Sequence, residues 1–316
     1  MERFLEQLNT IPEVASLTQR VEAGGCPAAV TGLQPVQRAC VGAAVAHATG
    51  RPVLFVCGDE REAQTICADL RTLLEKEPVV LPGREWQLRP GAIGSHSFEQ
   101  SRLGALYALT EGMTAAVATA DALMARTLPP ELLRRLTTEV RCQQVEGVGQ
   151  FALRGGILDV YSPMMDQPVR IEFFDDEVDS MGTFDPSTQR RVKNVHKARL
   201  LPAAEVLPGA AEGGLTGLAA RLKELAEKLE KKHKAETLVQ TLRQDAERLE
   251  NGAALGGADR YLAAVYSQTT TALDYLPPDT LVVLCESGRV EDRVKSTLTQ
   301  LRQDTELLME QGLLTG

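Results

Sequence analysis

The sequence predicts an α/β protein: a parallel sheet assembled from separated stretches of chain, with a small antiparallel β-rich domain inserted into it. Three observations lead there. Short apolar runs alternate with helical segments through the first 126 residues. The periodicity then switches from helical to strand-like after residue 145. Finally, a late apolar run, Leu281–Leu284, stands alone after a long helical stretch and needs an earlier sheet to join.

The elements follow in order. Met1–Glu22 carries Leu5, Leu8, Ile11 and Val14 at helical spacing, with Pro12 as an interruption. Ala28–Thr31 is a short apolar run ending at Gly32 and is expected as a strand. Pro35–Thr49 reads as a helix of small residues, broken by Gly50-Arg51-Pro52. Val53–Cys57 is a buried strand, Glu60–Glu75 a helix and Val79–Leu81 another strand. Ser101–Leu109 adds a helix, Ala115–Ala118 a strand and Ala120–Arg126 a short helix, before Pro129-Pro130 closes the unit. Strands alternating with helices in this way form a parallel sheet covered on both faces.

Val145–Leu201 is different: short alternating segments with turn residues between them. In Val169–Phe174, Val169, Ile171 and Phe173 point to one face and Arg170, Glu172 and Phe174 to the other. Asp175-Asp176 supplies a turn, and Glu177–Met181 returns as the partner strand. Beyond it, Leu215, Leu218, Leu222, Leu225 and Leu229 begin a helical stretch that runs to Glu250, either as one long helix or as a helical hairpin, with Asn251-Gly252 as its stop. Leu281–Leu284 is expected to return to the first sheet, and Glu291–Gln311 to close the chain as a helix. The implied domains are 1–140, the first part of the α/β domain; 141–207, the β-rich insertion; and 208–316, a helical segment with the return to the α/β domain.

Composition narrows the function. The chain has 316 residues, 43% hydrophobic and 24% charged, with a net charge of −9. That balance opposes a dedicated nucleic-acid binder, which carries a basic domain or stripe. Six cysteines at 26, 40, 57, 67, 142 and 285 include no C-x-x-C, and only four histidines exist. No metal site is expected, and the cysteines read as free thiols. The start, MERFLEQLNTIPEVASL, has no signal-peptide pattern, and no run approaches a membrane span, so a cytoplasmic protein without membrane contact is expected.

A sheet of this kind often carries a phosphate loop after its first strand. The place for it is Val30-Thr31-Gly32-Leu33-Gln34-Pro35-Val36-Gln37. A working loop needs glycines that turn backbone N–H groups to phosphate, a Lys for the outer oxygens and a Ser or Thr for magnesium. Gly32 is present, no Lys-Ser/Thr pair follows, and Pro35 removes a donor. On the late strand, Leu284-Cys285-Glu286-Ser287 puts Cys285 where an Asp would assist magnesium. No nucleotide cofactor is therefore expected. Ser95-His96-Ser97 is a lone His without partners in named catalytic roles, and Trp86 reads as a loop anchor rather than an exposed binding aromatic.

The segment Gln144–Tyr161, with Phe151-Ala152-Leu153-Arg154-Gly155-Gly156, and the segment Pro168–Ser180, with Arg170-Ile171-Glu172-Phe173-Phe174, are followed by Phe184-Asp185-Pro186 and Thr188-Gln189-Arg190. Together they resemble the UvrA-binding domain shared by UvrB and the bacterial transcription–repair coupling factors. Leu200–Glu205 and Leu273–Asp279 extend the similarity to the UvrB-homology region at the coupling factor's N-terminus, whose α/β part is a degenerate helicase-like domain. Unlike UvrB, the chain runs from Val117-Ala118-Thr119 to Asp121-Ala122-Leu123 without a Tyr-rich insertion. One departure stands out: Leu136–Arg141 leads almost directly into Gln144, where the family has a further helix of linker.

The resemblance implies a docking module that recruits nucleotide excision repair by binding UvrA, with no ATPase of its own. The matching contact residues are Arg154, Arg170 and Phe174. It also implies contacts with RNA polymerase and DNA through regions that do not occur before Gly316, so the chain reads as a fragment. The competing reading is a UvrB-like, ATP-dependent enzyme that handles damaged DNA. Between 145 and 186, nine acidic residues surround two arginines, which suits specific pairing better than attraction to phosphates. The basic run Arg190, Arg191, Lys193, Lys197 and Arg199 either offsets that acidic field or touches nucleic acid.

Overall fold

The computed structural model describes residues 2–74, 76–86, 96–140, 151–162, 165–174, 177–231 and 236–314. In chain order its elements begin with α1 (Glu2–Leu8), α2 (Pro12–Glu22), α3 (Pro35–Thr49), β1 (Val53–Cys57), α4 (Glu60–Leu74), β2 (Val79–Leu81), α5 (His96–Thr110), β3 (Ala115–Thr119) and α6 (Ala120–Met124). Then come α7 (Pro130–Leu136), β4 (Thr138–Val140), β5 (Phe151–Arg154), β6 (Ile157–Val160), β7 (Val169–Phe174), β8 (Glu177–Phe184), β9 (Arg191–Asn194) and β10 (Ala198–Leu200). The chain continues through α8 (Gly214–Lys231), α9 (Glu236–Glu250), α10 (Leu262–Val265), β11 (Leu281–Leu284) and α11 (Ser287–Glu310). No described helix is long and apolar enough to cross a membrane.

The chain divides into two compact units. The first comprises residues 1–83, 105–125 and 272–299. Its sheet is parallel throughout, in the order β11-β1-β3-β2. The α/β class with a separate antiparallel sheet is as the sequence predicts, and Leu281–Leu284 does return to the first sheet, pairing with Val53–Val56. The central strands β1 and β3 are buried along their whole length, as strands covered on both faces must be. At the β11 edge, Val282 and Leu284 are exposed. Close packing sets one residue choice: a Cβ at Gly42 of α3 would overlap the ring of Phe55, which is fully buried on β1.

One expected element is absent. Residues 28–31 form no strand. The run is only four residues long, lies between Pro27 and Gly32, and leaves Val30 half exposed with no partner to pair with. The stretch that would follow a first strand is instead an irregular lead into α3. There the backbone N–H of Gln34 donates to Oε1 of Gln37, 2.8 Å away.

The C-terminal ends of the parallel strands are crossed by ion pairs. Arg38 of α3 pairs with Glu62 at 2.9 Å and with Glu286, the residue two past β11. Arg289 pairs with Asp59. Arg293 reaches Glu60 at 2.7 Å and Asp121 at 2.9 Å. Burial alone would raise the Asp121 carboxyl, but the Arg293 guanidinium outweighs it and holds it below its usual range.

The second unit comprises residues 84–104, 126–271 and 300–316. It holds a five-stranded antiparallel sheet in the order β5-β6-β7-β8-β9, and β4 paired with β10. Against the five-stranded sheet, Val169, Ile171, Met181 and Ala198 form a small core cluster, with Leu158 and Phe173 packed against them. The long leucine-patterned stretch is a helical hairpin, not a single helix: α8 and α9 are tied by Lys223–Glu250 and Arg243–Glu230, each at 2.6 Å. Trp86 is a loop anchor, with the Arg84 guanidinium 4.1 Å from its ring centre.

A buried polar cluster lies on the C-terminal side of β10. Glu205 is 1% exposed and meets Arg84 at 3.3 Å and Arg102 at 3.1 Å. It accepts from the Thr127 hydroxyl at 2.5 Å, and its own N–H donates to Glu99 at 2.6 Å. Tyr266 donates its O–H to the Glu205 carbonyl at 2.8 Å and accepts from the Leu207 N–H at 3.1 Å. Burial pushes the Tyr266 phenol up to about 12. An unfolded tyrosine titrates near 10. The folded chain therefore holds more protons than the unfolded chain between those values, and stability falls as pH rises through that window. Denaturant melts at pH 9.5 and 11.5 are expected to show this loss, on the order of 2 kcal/mol. Tyr266→Phe, which has no phenolic proton to lose, reduces the slope; an unchanged slope contradicts the assignment.

Candidate docking face

The face forms because the antiparallel register repeats the period-two pattern across neighbouring strands. Leu158 pairs with Ile171, and Ile171 with Met181, so these share the core side. Asp159 pairs with Arg170, and Arg170 with Gly182; Ile157 pairs with Glu172, and Glu172 with Ser180. Directly paired residues share a face, so Asp159, Arg170, Glu172, Ser180 and Gly182 line the opposite side of the sheet.

Arg170 is held on that side by three contacts. Its Nε lies 3.4 Å from the carboxylate of Asp159, which is 3% exposed, and its Nη2 lies 3.5 Å from Oε1 of Gln189. Its guanidinium stacks over the ring of Phe184 at 5.2 Å. The planar group is thus pre-oriented, and it stays partly open to solvent. The pairing partner is Asp159, not a glutamate of its own hairpin: Glu172 instead accepts from the Ser180 hydroxyl at 2.6 Å. Gln189 is presented by the turn between β8 and β9. That turn is organised by Asp185, which accepts from the N–H groups of Ser187 and Thr188 at 2.8 and 2.9 Å. The hydroxyl of Ser187 and these N–H groups hold the Asp185 carboxyl below its usual range.

Phe174 ends β7 beyond a register shift between Glu172 and Phe173. Phe173 turns to the core, and Phe174 is 80% exposed, more than any other large hydrophobic among the described residues. Arg154 ends β5, its backbone paired with Ile157 in the row that continues to Glu172. The side chain of Arg154 lies outside the described residues. So do residues 141–150, which hold the end of the short link and the start of the first motif segment, the Asp175-Asp176 turn and the side chains of Ser95-His96-Ser97.

Phe184 and Gln189 stand in motif segments and Asp159 in the first of them, but the sequence did not mark any of the three as a partner of Arg170. The signal that finds them is the strand register, which puts Asp159 beside Arg170 across eleven residues of chain.

One comparison with known proteins falls on the same segment, and others extend over most of the chain. A family model described as the UvrB interaction domain matches residues 127–205. The transcription-repair-coupling factor of Bacillus subtilis is 30% identical over 313 residues, covering 90% of this chain and 26% of that protein. The factor of Myxococcus xanthus is 33% identical over 206 residues, covering 56% and 17%. That of Mycobacterium bovis is 27% identical over 335 residues, covering 95% and 26%. The resemblance read from two short motifs thus extends along most of the chain: it carries a UvrB interaction domain match, is similar to the transcription-repair-coupling factors, and spans about a quarter of the length of the first of these relatives.

Proposed function

We propose that this chain is a docking module that binds UvrA and so recruits nucleotide excision repair to stalled transcription in the cytoplasm, with no ATPase of its own. The observation that carries the reading is Phe174. Phe174 is 80% exposed, more than any other large hydrophobic among the described residues, so burial in the fold does not account for it. It stands four residues from a pre-oriented Arg170, inside the segment matched to the UvrB interaction domain. An aromatic and an arginine exposed together are the usual anchors of a protein interface. Arg154, at the end of β5, completes the contact set. Contacts with RNA polymerase and DNA belong to regions of such proteins outside the quarter that this chain spans.

The absence of nucleotide turnover is supported by what fills the strand ends of the first unit. Ligands of open α/β sheets bind outside the carboxyl ends of the strands. In this chain Arg38, Arg289 and Arg293 are paired there with five carboxylates. The expected result is retention of purified UvrA on the immobilised chain, and no binding of a fluorescent ATP analogue at equilibrium. Saturable ATP binding with hydrolysis would overturn the non-catalytic reading, and failure to retain UvrA would overturn the docking reading.

A further inference from the structure

We infer that Arg191 is a further anchor of the docking face and that, with Arg170, it seats an acidic side chain of the docking partner over Gly182. The inference rests on the docking reading and extends it by one residue and one partner chemistry.

β9 is the edge strand of the five-stranded sheet, and all four of its residues are exposed. The backbone of Arg191 pairs with Phe184, but its side chain runs back over Gly182. A Cβ at Gly182 would overlap the Nε of Arg191 and sit 2.8 Å from the Lys193 carbonyl, so only glycine leaves room for this path. Gly182 is also the residue directly opposite Arg170. Two arginine side chains therefore adjoin one position that has no side chain of its own.

Arg191 is held in place without being neutralised. Its Nη2 donates to the Ser180 hydroxyl at 3.0 Å, and that hydroxyl donates to Glu172 at 2.6 Å. Among the described residues it makes no ion pair, whereas Arg170 has Asp159. An exposed guanidinium fixed by a neutral hydroxyl keeps most of its charge for an incoming carboxylate, which it can engage in two-pronged fashion. The planar fork of the guanidinium matches the geometry of a single carboxylate. Phe174 lies four residues along β7 from Arg170, roughly 13 Å at strand spacing. The partner surface should then pair an acidic group with an apolar pocket at about that separation.

The test is a titration of purified UvrA against the full chain and its Phe174→Ala, Arg191→Ala, Arg191→Glu and Arg191→Lys variants, with a thermal melt of each. Arg191 is exposed, so the melts should coincide. The expected result is roughly fivefold to tenfold weaker binding for Arg191→Ala, a larger loss for Arg191→Glu and partial retention for Arg191→Lys. Wild-type affinity for Arg191→Ala and Arg191→Glu alongside weakened Phe174→Ala overturns the inference and leaves the docking reading standing. Wild-type affinity for every variant, Phe174→Ala included, overturns both. A parallel titration with duplex DNA separates the remaining possibility: loss of DNA binding by Arg191→Ala with unchanged UvrA affinity overturns the inference as well.

Discussion

Glu205→Ala is expected to destabilise the second unit by about 3–5 kcal/mol, because it removes the carboxylate at the centre of a buried ion-pair cluster. Glu205 lies between two guanidiniums whose side chains are 4% and 1% exposed, those of Arg84 and Arg102. Taking the carboxylate away leaves both in a poorly solvated setting, and it also orphans the buried Thr127 hydroxyl. Arg84 retains Asp259, at 2.7 Å, which limits the damage on that side. Glu205→Gln preserves shape and an acceptor for Thr127 but still removes the charge, so it should fall between wild type and Glu205→Ala. Chemical denaturation of the three proteins, followed by far-UV circular dichroism, checks the order. Equal midpoints for all three would mean that the cluster contributes little.

The second large effect concerns binding. Arg170→Ala and Phe174→Ala are each expected to weaken UvrA binding by at least about 1–2 kcal/mol. The two should differ in character. Phe174 is 80% exposed, so its removal takes nothing from the fold and leaves the melting temperature unchanged. Its loss should be largely independent of salt, because the contact is apolar. Arg170 is braced by Asp159, Gln189 and Phe184, so its removal takes away an ion pair, a polar contact and a ring contact and costs some stability besides affinity. Its contribution to binding should shrink as ionic strength rises. A Phe174→Ala loss that disappears in high salt would contradict the apolar contact.

The sequence made most of the scaffold legible, and the reasons differ by element. Val53–Cys57, buried along its length, and Val79–Leu81, at the sheet edge, were readable because both are short apolar runs bounded by breakers. The same rule misread 28–31, since an apolar run becomes a strand only when a neighbouring strand pairs with it. The alternation in Val169–Phe174 correctly separated the core side from the outer side, so Arg170 and Phe174 were found together. What was not legible depends on partners distant in sequence. Nothing near Glu205 announces that Arg84 and Arg102 will bury it. Nothing near Arg170 announces Asp159 until the register of β6 against β7 is known. Gly182 reads as a neutral strand residue until the Arg191 side chain is seen lying over it. Charge pairing of this kind is set by tertiary register, which local pattern does not encode.

The central claim is that the face marked by Phe174 binds UvrA. Its most direct test is a side-by-side equilibrium titration of UvrA with the wild-type chain and with Phe174→Ala, at matched salt and with both chains verified as folded. The account predicts saturable binding by the wild type and an isotherm at least about fivefold weaker for Phe174→Ala, in line with the loss of an interface anchor. Superimposable isotherms, or no binding by the wild-type chain, would contradict it.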